Sequence, residues 1–395
     1  VVSTLVAFTA LASRRGLAQP PFKLQTISAG SNHACGITPG HVAYCWGRNA
    51  EGELGNPAAS APCPEGGGTC SLKPVRVAGN LAFSAISAGH DYTCAITTSG
   101  GAYCWGANAF GQLGVGGQEP ASRPERVGIQ RVTFVSISAG NSHTCAVTSG
   151  GTAFCWGSNA GGKLGTGGPP GGGHTVPTPV AGHIAFQSIS AGYFHTCAVA
   201  RDGRTYCWGR NEQGEVGTTA RTPSGAPARV AGGLMSRMVM AASAFDFSCA
   251  VAPDGTLRCW GANCYGQLGL DSLAETCGTP PMPCSPLPAV VKTPTGIVSV
   301  SGTFSHTCAL TAADTALCWG DDNEGQLGTG VLGARSLAPT AVAGDLSFRA
   351  LSAGRGFTCA IGSDGTPYCW GRNTNGQLGI GDAGQRSVPT PVAAP

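Results

Sequence analysis

The sequence predicts an all-β chain, a seven-bladed β-propeller of four-stranded blades. Three observations predict it. The tripeptide Cys-Trp-Gly recurs at Cys45, Cys104, Cys155, Cys207, Cys259, Cys318 and Cys369, at intervals of 59, 51, 52, 52, 59 and 51 residues. Each copy is followed by a Gly-x-Leu/Val-Gly turn, beginning at Gly52, Gly111, Gly162, Gly214, Gly266, Gly325 and Gly376. Between these marks lie short apolar-alternating runs punctuated by Gly, Pro and Asp-Gly, and no long helical period. Seven copies of one supersecondary unit of about fifty residues fit a radial array of blades, since no single unit buries its own apolar face.

The elements follow in order within each unit. The fourth unit serves as the type. FQSIS, Phe186 to Ser190, alternates and forms the first strand. HTCAVA, His195 to Ala200, is the second, and TYCWG, Thr205 to Gly209, the third. A Pro-x-x-Val segment such as PTPV, Pro177 to Val180, supplies the fourth strand of a unit, since proline belongs at a sheet edge. A spare segment of this kind, Pro389 to Val392, ends the chain. It is expected to complete the first blade and close the ring, which removes an exposed edge. Residues 21–395 form the propeller. The first twenty residues, with the apolar run VVSTLVAFTALA, read as the remnant of a secretory signal or a disordered leader, too short to span a bilayer.

Cysteine is the strongest compositional signal, with 19 in the chain. Each unit carries two, ten residues apart: Cys35/Cys45, Cys94/Cys104, Cys145/Cys155, Cys197/Cys207, Cys249/Cys259, Cys308/Cys318 and Cys359/Cys369. In a hairpin with its turn midway, such residues lie directly opposite on adjacent strands, within disulfide reach. A histidine stands two residues before the first cysteine in four units, as His33, His143, His195 and His306, which raises a metal or Cys–His reading. Tyr92, Phe247 and Phe357 take that place elsewhere while the cysteines persist. The pair is therefore independent of the histidine, which is assigned to packing and hydrogen bonding inside a blade. Two further pairs seven apart, Cys63/Cys70 and Cys277/Cys284, sit in the two longer units and pin the insertions. Cys264 is left over. This usage suits an oxidising compartment, outside the cell or in a periplasm.

Charged residues make up 11% of the chain and the formal charge is +3, with no basic cluster, so nucleic-acid binding through phosphates is not expected. No catalytic set, cofactor loop or metal motif is present in the pattern. Asp321, Asp322 and Glu324 replace the usual polar turn in the sixth unit, a solvated acidic turn or a weak cation site. Function is sought instead where sister units differ. The two residues between the Ala-Gly turn and the His/aromatic position vary, giving His90-Asp91, Asn141, Tyr193-Phe194, Phe245-Asp246, Phe304 and Arg355 as candidates. The residue after Trp-Gly also varies and adds Arg48, Arg210 and Arg372. Tyr, Phe and Arg are the types that anchor interfaces.

Four motifs carry a resemblance: Ser190 to His195 (Ser-Ala-Gly-x-x-His), Trp208 to Asn211 (Trp-Gly-x-Asn), the Gly-Gln-Leu-Gly turn and Pro-x-x-Val. The chain resembles the regulator of chromosome condensation repeat family from Phe22 to its end. That resemblance implies the seven-bladed fold and says little about activity. The paired cysteines are similar to those of plant crinkly-type receptor kinases, which implies an extracellular place. The resulting expectation is a secreted or cell-surface module, not an enzyme, that binds a protein or glycan through one face. The alternatives are a guanine-nucleotide exchange factor and an extracellular enzyme inhibitor.

Overall fold

The structure, a computed structural model, describes residues 22–65, 67–242, 246–271, 275–294 and 296–395. The leader and Phe245 lie outside the described residues. Seven antiparallel sheets follow one another along the chain, and each is built from one sequence unit. In blade 4 the strands are Phe186–Ala191, His195–Ala200, Thr205–Gly209 and Ser224–Arg229, paired in that order. Two single-turn 3-10 segments, Ala160–Gly162 and Ala231–Gly233, are the only helical elements among the described residues.

The ring does not close by a shared strand. The C-terminal strand, Arg386–Pro391, pairs with Pro367–Gly371 and is the outer strand of its own seventh blade. Blade 1 is already complete, with Thr26–Ala29, His33–Ile37, Ala43–Arg48 and Thr69–Arg76. The expected completion of blade 1 is thereby corrected: the fourth segment of each unit belongs to the same sheet as its first three strands. Closure comes instead from contacts between blades 7 and 1. Trp46 Nε1 donates to Gln377 O at 3.0 Å, and Leu24 N to Gly365 O at 3.0 Å.

A ladder of serine hydroxyls circles the inner strands. Ser28, Ser87, Ser138, Ser190, Ser301 and Ser352 each accept the backbone N–H of a residue in the next blade, from Ala88 round to Ala29, at 2.9–3.0 Å. The blade 5–6 junction departs from this, because Met240 occupies the serine position and packs on Gly302. This explains the Ser-Ala-Gly motif: the small residues let inner strands approach, and the hydroxyl satisfies a backbone donor that the sheet leaves unpaired.

The two long units differ as their extra cysteines suggest. Their insertions add a short fifth strand, Ala61–Pro62 in blade 1 and Thr276–Cys277 in blade 5, paired to the fourth strand. Cys63–Cys70 and Cys277–Cys284 bridge them. The seven blade disulfides join directly opposed residues, Cys197 against Cys207 in blade 4 with Cα atoms 4.1 Å apart. All fourteen cysteines of these pairs are fully buried. They sit between blades: Cys35 and Cys45 pack with Trp105 of blade 2, and Cys197 and Cys207 with Trp260 of blade 5. The apolar core is thus a ring of seven inter-blade clusters.

Candidate functional site

The scaffold positions come first, since they decide which residues remain for binding. In every unit the Asn or Asp after Trp-Gly-x accepts the N–H of the Leu or Val in the following Gly-x-Leu/Val-Gly turn. Asn211 Oδ1 to Val216 N, at 3.0 Å, is the blade 4 instance, and Asp322 Oδ1 does the same for Leu327 at 2.9 Å. The acidic turn of blade 6 is therefore the same device. Asp321 accepts from Asn323 and Gln326 within the turn.

The histidines bond across blade boundaries, not within a blade as expected. His195 Nε2 lies 2.8 Å from Ser248 Oγ, and His33, His143 and His306 contact Thr93, Thr196 and Thr358 at 2.8–2.9 Å. Each of these hydroxyls gives its single proton to a backbone carbonyl, as Ser248 does to Glu215 O at 3.0 Å and Thr93 to Glu53 O at 2.9 Å. The histidine must then donate from Nε2, and Nδ1, buried with no acceptor for a second proton, is left unprotonated. Burial drives the same way: it lowers His33 to about 4 and His195 and His306 to about 3. Neutral imidazoles tied to structural hydroxyls are part of the scaffold.

The turns between first and second strands carry the variable residues to one face. Tyr193 and Phe194 meet edge to face, with ring centroids 4.4 Å apart, and both are partly exposed. Arg210 lies over the Phe194 ring at 5.1 Å, and Lys163 Nζ is 5.6 Å from its centroid. Lys163 itself is buried, hydrogen-bonded to Ser142 Oγ at 2.7 Å and Tyr193 O at 3.1 Å, and burial lowers its pKa to about 8. On the blade 6–7 side Arg355 stacks on Phe304 at 4.8 Å. Arg372 turns onto Thr374. Between blades 2 and 3 a cleft of about 390 Å³ is lined by His90, Asp91, Asn141, Ser142, Gln112 and Phe110.

The expected residues therefore fall into groups. Tyr193, Phe194 and Arg210 come together, and Asp246 joins them through Arg210 at 3.5 Å. Arg48, His90 and Asp91 form a second group: Arg48 reaches Asp91 at 2.7 Å, and His90 Nδ1 lies 2.6 Å from Asp91 Oδ2. Hydrogen bonding and charge from His90 and Arg48 outweigh the opposing effect of burial and hold Asp91 below the usual carboxylate range.

Two sets of residues were missed at the level of sequence. Phe110, 54% exposed at the rim of the cleft, has no counterpart among the compared turn positions. The other set is the variable residue of the Gly-x-Leu/Val-Gly turn. It is Gln in four units, whose side chain accepts the N–H two residues earlier, as Gln112 does for Phe110 at 2.9 Å. In the others it is Glu53, Lys163 and Glu215, all buried and ionisable. Burial raises Glu53 to about 7 and, with the neighbouring Asp246, Glu215 to about 8. The charged letter in GELG, GKLG and GEVG was the available signal.

No helix among the described residues is long and apolar enough to cross a membrane. Residues 127–395 match the RCC1-like domain, and residues 41–96 and 99–147 match the regulator of chromosome condensation (RCC1) repeat. The ultraviolet-B receptor UVR8 of Arabidopsis thaliana is 32% identical over 381 residues, which is 95% of this chain and 83% of that protein. Human WBSCR16 superposes with a TM-score of 0.77 at 20% identity, over 90% of this chain and 94% of the other. Yeast RCC1 (Prp20), in its complex with Kap60, gives 0.74 at 17% identity over 100% and 91%. Domain match, long relative and repeat register agree, and the chain belongs to the regulator of chromosome condensation repeat family, in a form with a disulfide in every blade.

Proposed function

We propose that this chain is a secreted or cell-surface binding module that engages a protein partner through the face built by the turns between first and second strands. The observation that carries the reading is the Tyr193–Phe194 pair, partly exposed and fixed between Lys163 and Arg210. Aromatic rings pre-set by cation–π contacts lose little conformational entropy on binding, which is how interface anchors gain affinity. Their sister turns carry Ser31-Asn32 and Asn141-Ser142 on the same scaffold, so the backbone does not require aromatics there. Support for a protein partner also comes from the yeast propeller of this fold, solved bound to Kap60. The nine disulfides support an oxidising compartment.

The test is capture from extracellular fluid by the immobilised chain, with identification of the retained protein. Y193A/F194A is expected to lose capture while melting at the wild-type temperature. Full capture by this variant would place the binding surface elsewhere. Retention of a deglycosylation-sensitive partner alone would favour a glycan ligand.

A further inference from the structure

One constellation occurs twice in the ring. Arg48, Glu53 and Asp91 occupy the residue after Trp-Gly, the variable residue of Gly-x-Leu/Val-Gly, and the second turn residue of the next blade. Arg210, Glu215 and Asp246 occupy the same three positions between blades 4 and 5. Their geometries differ.

In the first set the arginine sits between the carboxylates. Arg48 lies 3.1 Å from Glu53 Oε1 and 2.7 Å from Asp91 Oδ1. Glu51 N and His90 Nδ1 contact the remaining oxygens, at 2.8 and 2.6 Å. In the second set Arg210 is turned away. Its guanidinium bonds Glu212 at 2.5 Å and lies over Phe194, and it approaches Asp246 Oδ2 only to 3.5 Å. Glu215 Oε2 accepts Gln213 N at 2.8 Å. Glu215 Oε1 and Asp246 Oδ1 are buried without a hydrogen-bond partner.

The sequence accounts for the difference. Where blade 4 has Glu212 and Phe194 to hold the arginine outward, blade 1 has Ala50 and Asn32. A buried carboxylate oxygen left unpaired is costly, and the natural counterpart in this fold is visible at Arg48. We propose that Glu215 and Asp246 form a receptor for an arginine side chain of the protein partner, which enters beside Tyr193–Phe194 and bridges the two carboxylates as Arg48 bridges Glu53 and Asp91.

This rests on the binding-face reading above and names the chemistry its partner presents. Arginine suits the site because a planar guanidinium spans two acceptors at once. Burial, with the charge of Asp246, raises Glu215 to about 8, and burial raises Asp246 to about 6, so at neutral pH the free pair retains a proton. An incoming guanidinium takes the place of that proton, which passes to solvent. Arg210, Glu212 and Lys163 are the other charged groups facing the pair. Affinity accordingly rises from pH 6 to pH 8, and the loss of charge from Lys163, lowered by burial to about 8, adds to the rise because a competing cation is removed.

The experiment titrates the intact chain with N-acetyl-arginine amide and, as control, its neutral citrulline analogue, by thermal shift and calorimetry at pH 6 and 8. Arginine amide is expected to stabilise the chain more than citrulline amide, with the larger effect at pH 8 and with proton release. E215Q/D246N should weaken that binding at least about tenfold. E212A should weaken it too, because Arg210 is then released to fold onto the pair. Equal binding of both amides, or undiminished arginine binding by E215Q/D246N, overturns the proposal. Partner capture separates the two readings: if E215Q/D246N captures normally while Y193A/F194A does not, the arginine receptor is wrong and the face stands. If neither variant loses capture, both are wrong.

Discussion

The indole Nε1 of Trp208 donates to the carbonyl oxygen of Lys163 at 3.0 Å, across the boundary between blades 3 and 4. The same bond joins every neighbouring pair of blades, including Trp46 to Gln377 where the ring closes. Beneath Trp208 lies Gly165 at φ +69°, where an added Cβ would stand 2.5 Å from Nε1. The tryptophan of one unit and the last glycine of the Gly-x-Leu/Val-Gly turn in the unit before it are therefore two halves of one joint. Gly165→Ala combines left-handed strain with overpacking and is expected to cost about 2–4 kcal/mol. Chemical unfolding of the oxidised protein measures it. A loss below about 0.5 kcal/mol, the usual surface value, would contradict this joint.

Acid should destabilise the fold through the inter-blade histidines. Their folded pKa values lie below the ordinary 6.5, so the unfolded chain binds more protons as pH falls. Stability is then complete above about 6.5 and drains toward the folded values of about 3 to 4, by at most about 1.4 kcal/mol per pH unit for each histidine. Glu53 and Glu215 act oppositely, losing stability as pH rises from about 4.5 through 7 to 8. His195→Phe isolates the first effect, since Phe247 and Phe357 already fill that position in sister blades. The gap in unfolding free energy between wild type and His195→Phe is expected to close from pH 7 to pH 4. A constant gap would show that His195 titrates alike folded and unfolded.

Arg48 and Glu53 give a second pH signature. Glu53 is fully buried, and Arg48, whose side chain is 24% exposed, lies 3.1 Å from it. Removing the cation leaves a carboxylate that must take up a proton to stay buried. Arg48→Ala is expected to cost about 1–3 kcal/mol at pH 8 and clearly less at pH 6, the partial exposure keeping the figure low. An equal loss at both values would mean that Glu53 does not feel Arg48.

The fold was legible because its constraints repeat. Trp208, Asn211 and Gly165 make backbone contacts that every blade needs, so seven copies expose them in one sequence. The disulfides were legible for the same reason, as ten-residue spacing across a five-residue strand pair fixes opposition. Ring closure is not legible because the Pro-x-x-Val segment reads alike whether it ends its own blade or begins the next, and only strand pairing decides. The cross-blade histidine bond is not legible because its acceptor, Thr196 for His143 and Ser248 for His195, lies 53 residues on in sequence. Of the candidate site, Tyr193, Phe194 and Arg210 stood out as variable positions. Lys163 and Glu215 did not, since a turn motif drew attention to its glycines.

The bridges set a covalent prediction. Each ten-residue pair closes a loop worth about 2.7 kcal/mol of unfolded-chain entropy. Cys264 is the free cysteine, beside Met282 at 3.3 Å. Denatured, unreduced protein should alkylate at Cys264 alone, and reduction should lower the unfolding midpoint steeply. Labelling of any blade cysteine before reduction would contradict the bridging.

One face of the ring is proposed to bind a protein, and site-specific photocrosslinking tells that face from the opposite one. A photoreactive residue at Asn141, in a turn of the proposed face, is compared with one at Asp202, in the hairpin turn between the second and third strands. A covalent adduct to the captured partner is expected from Asn141 and none from Asp202. An adduct from Asp202 alone would contradict it and move the binding surface to the other side of the propeller.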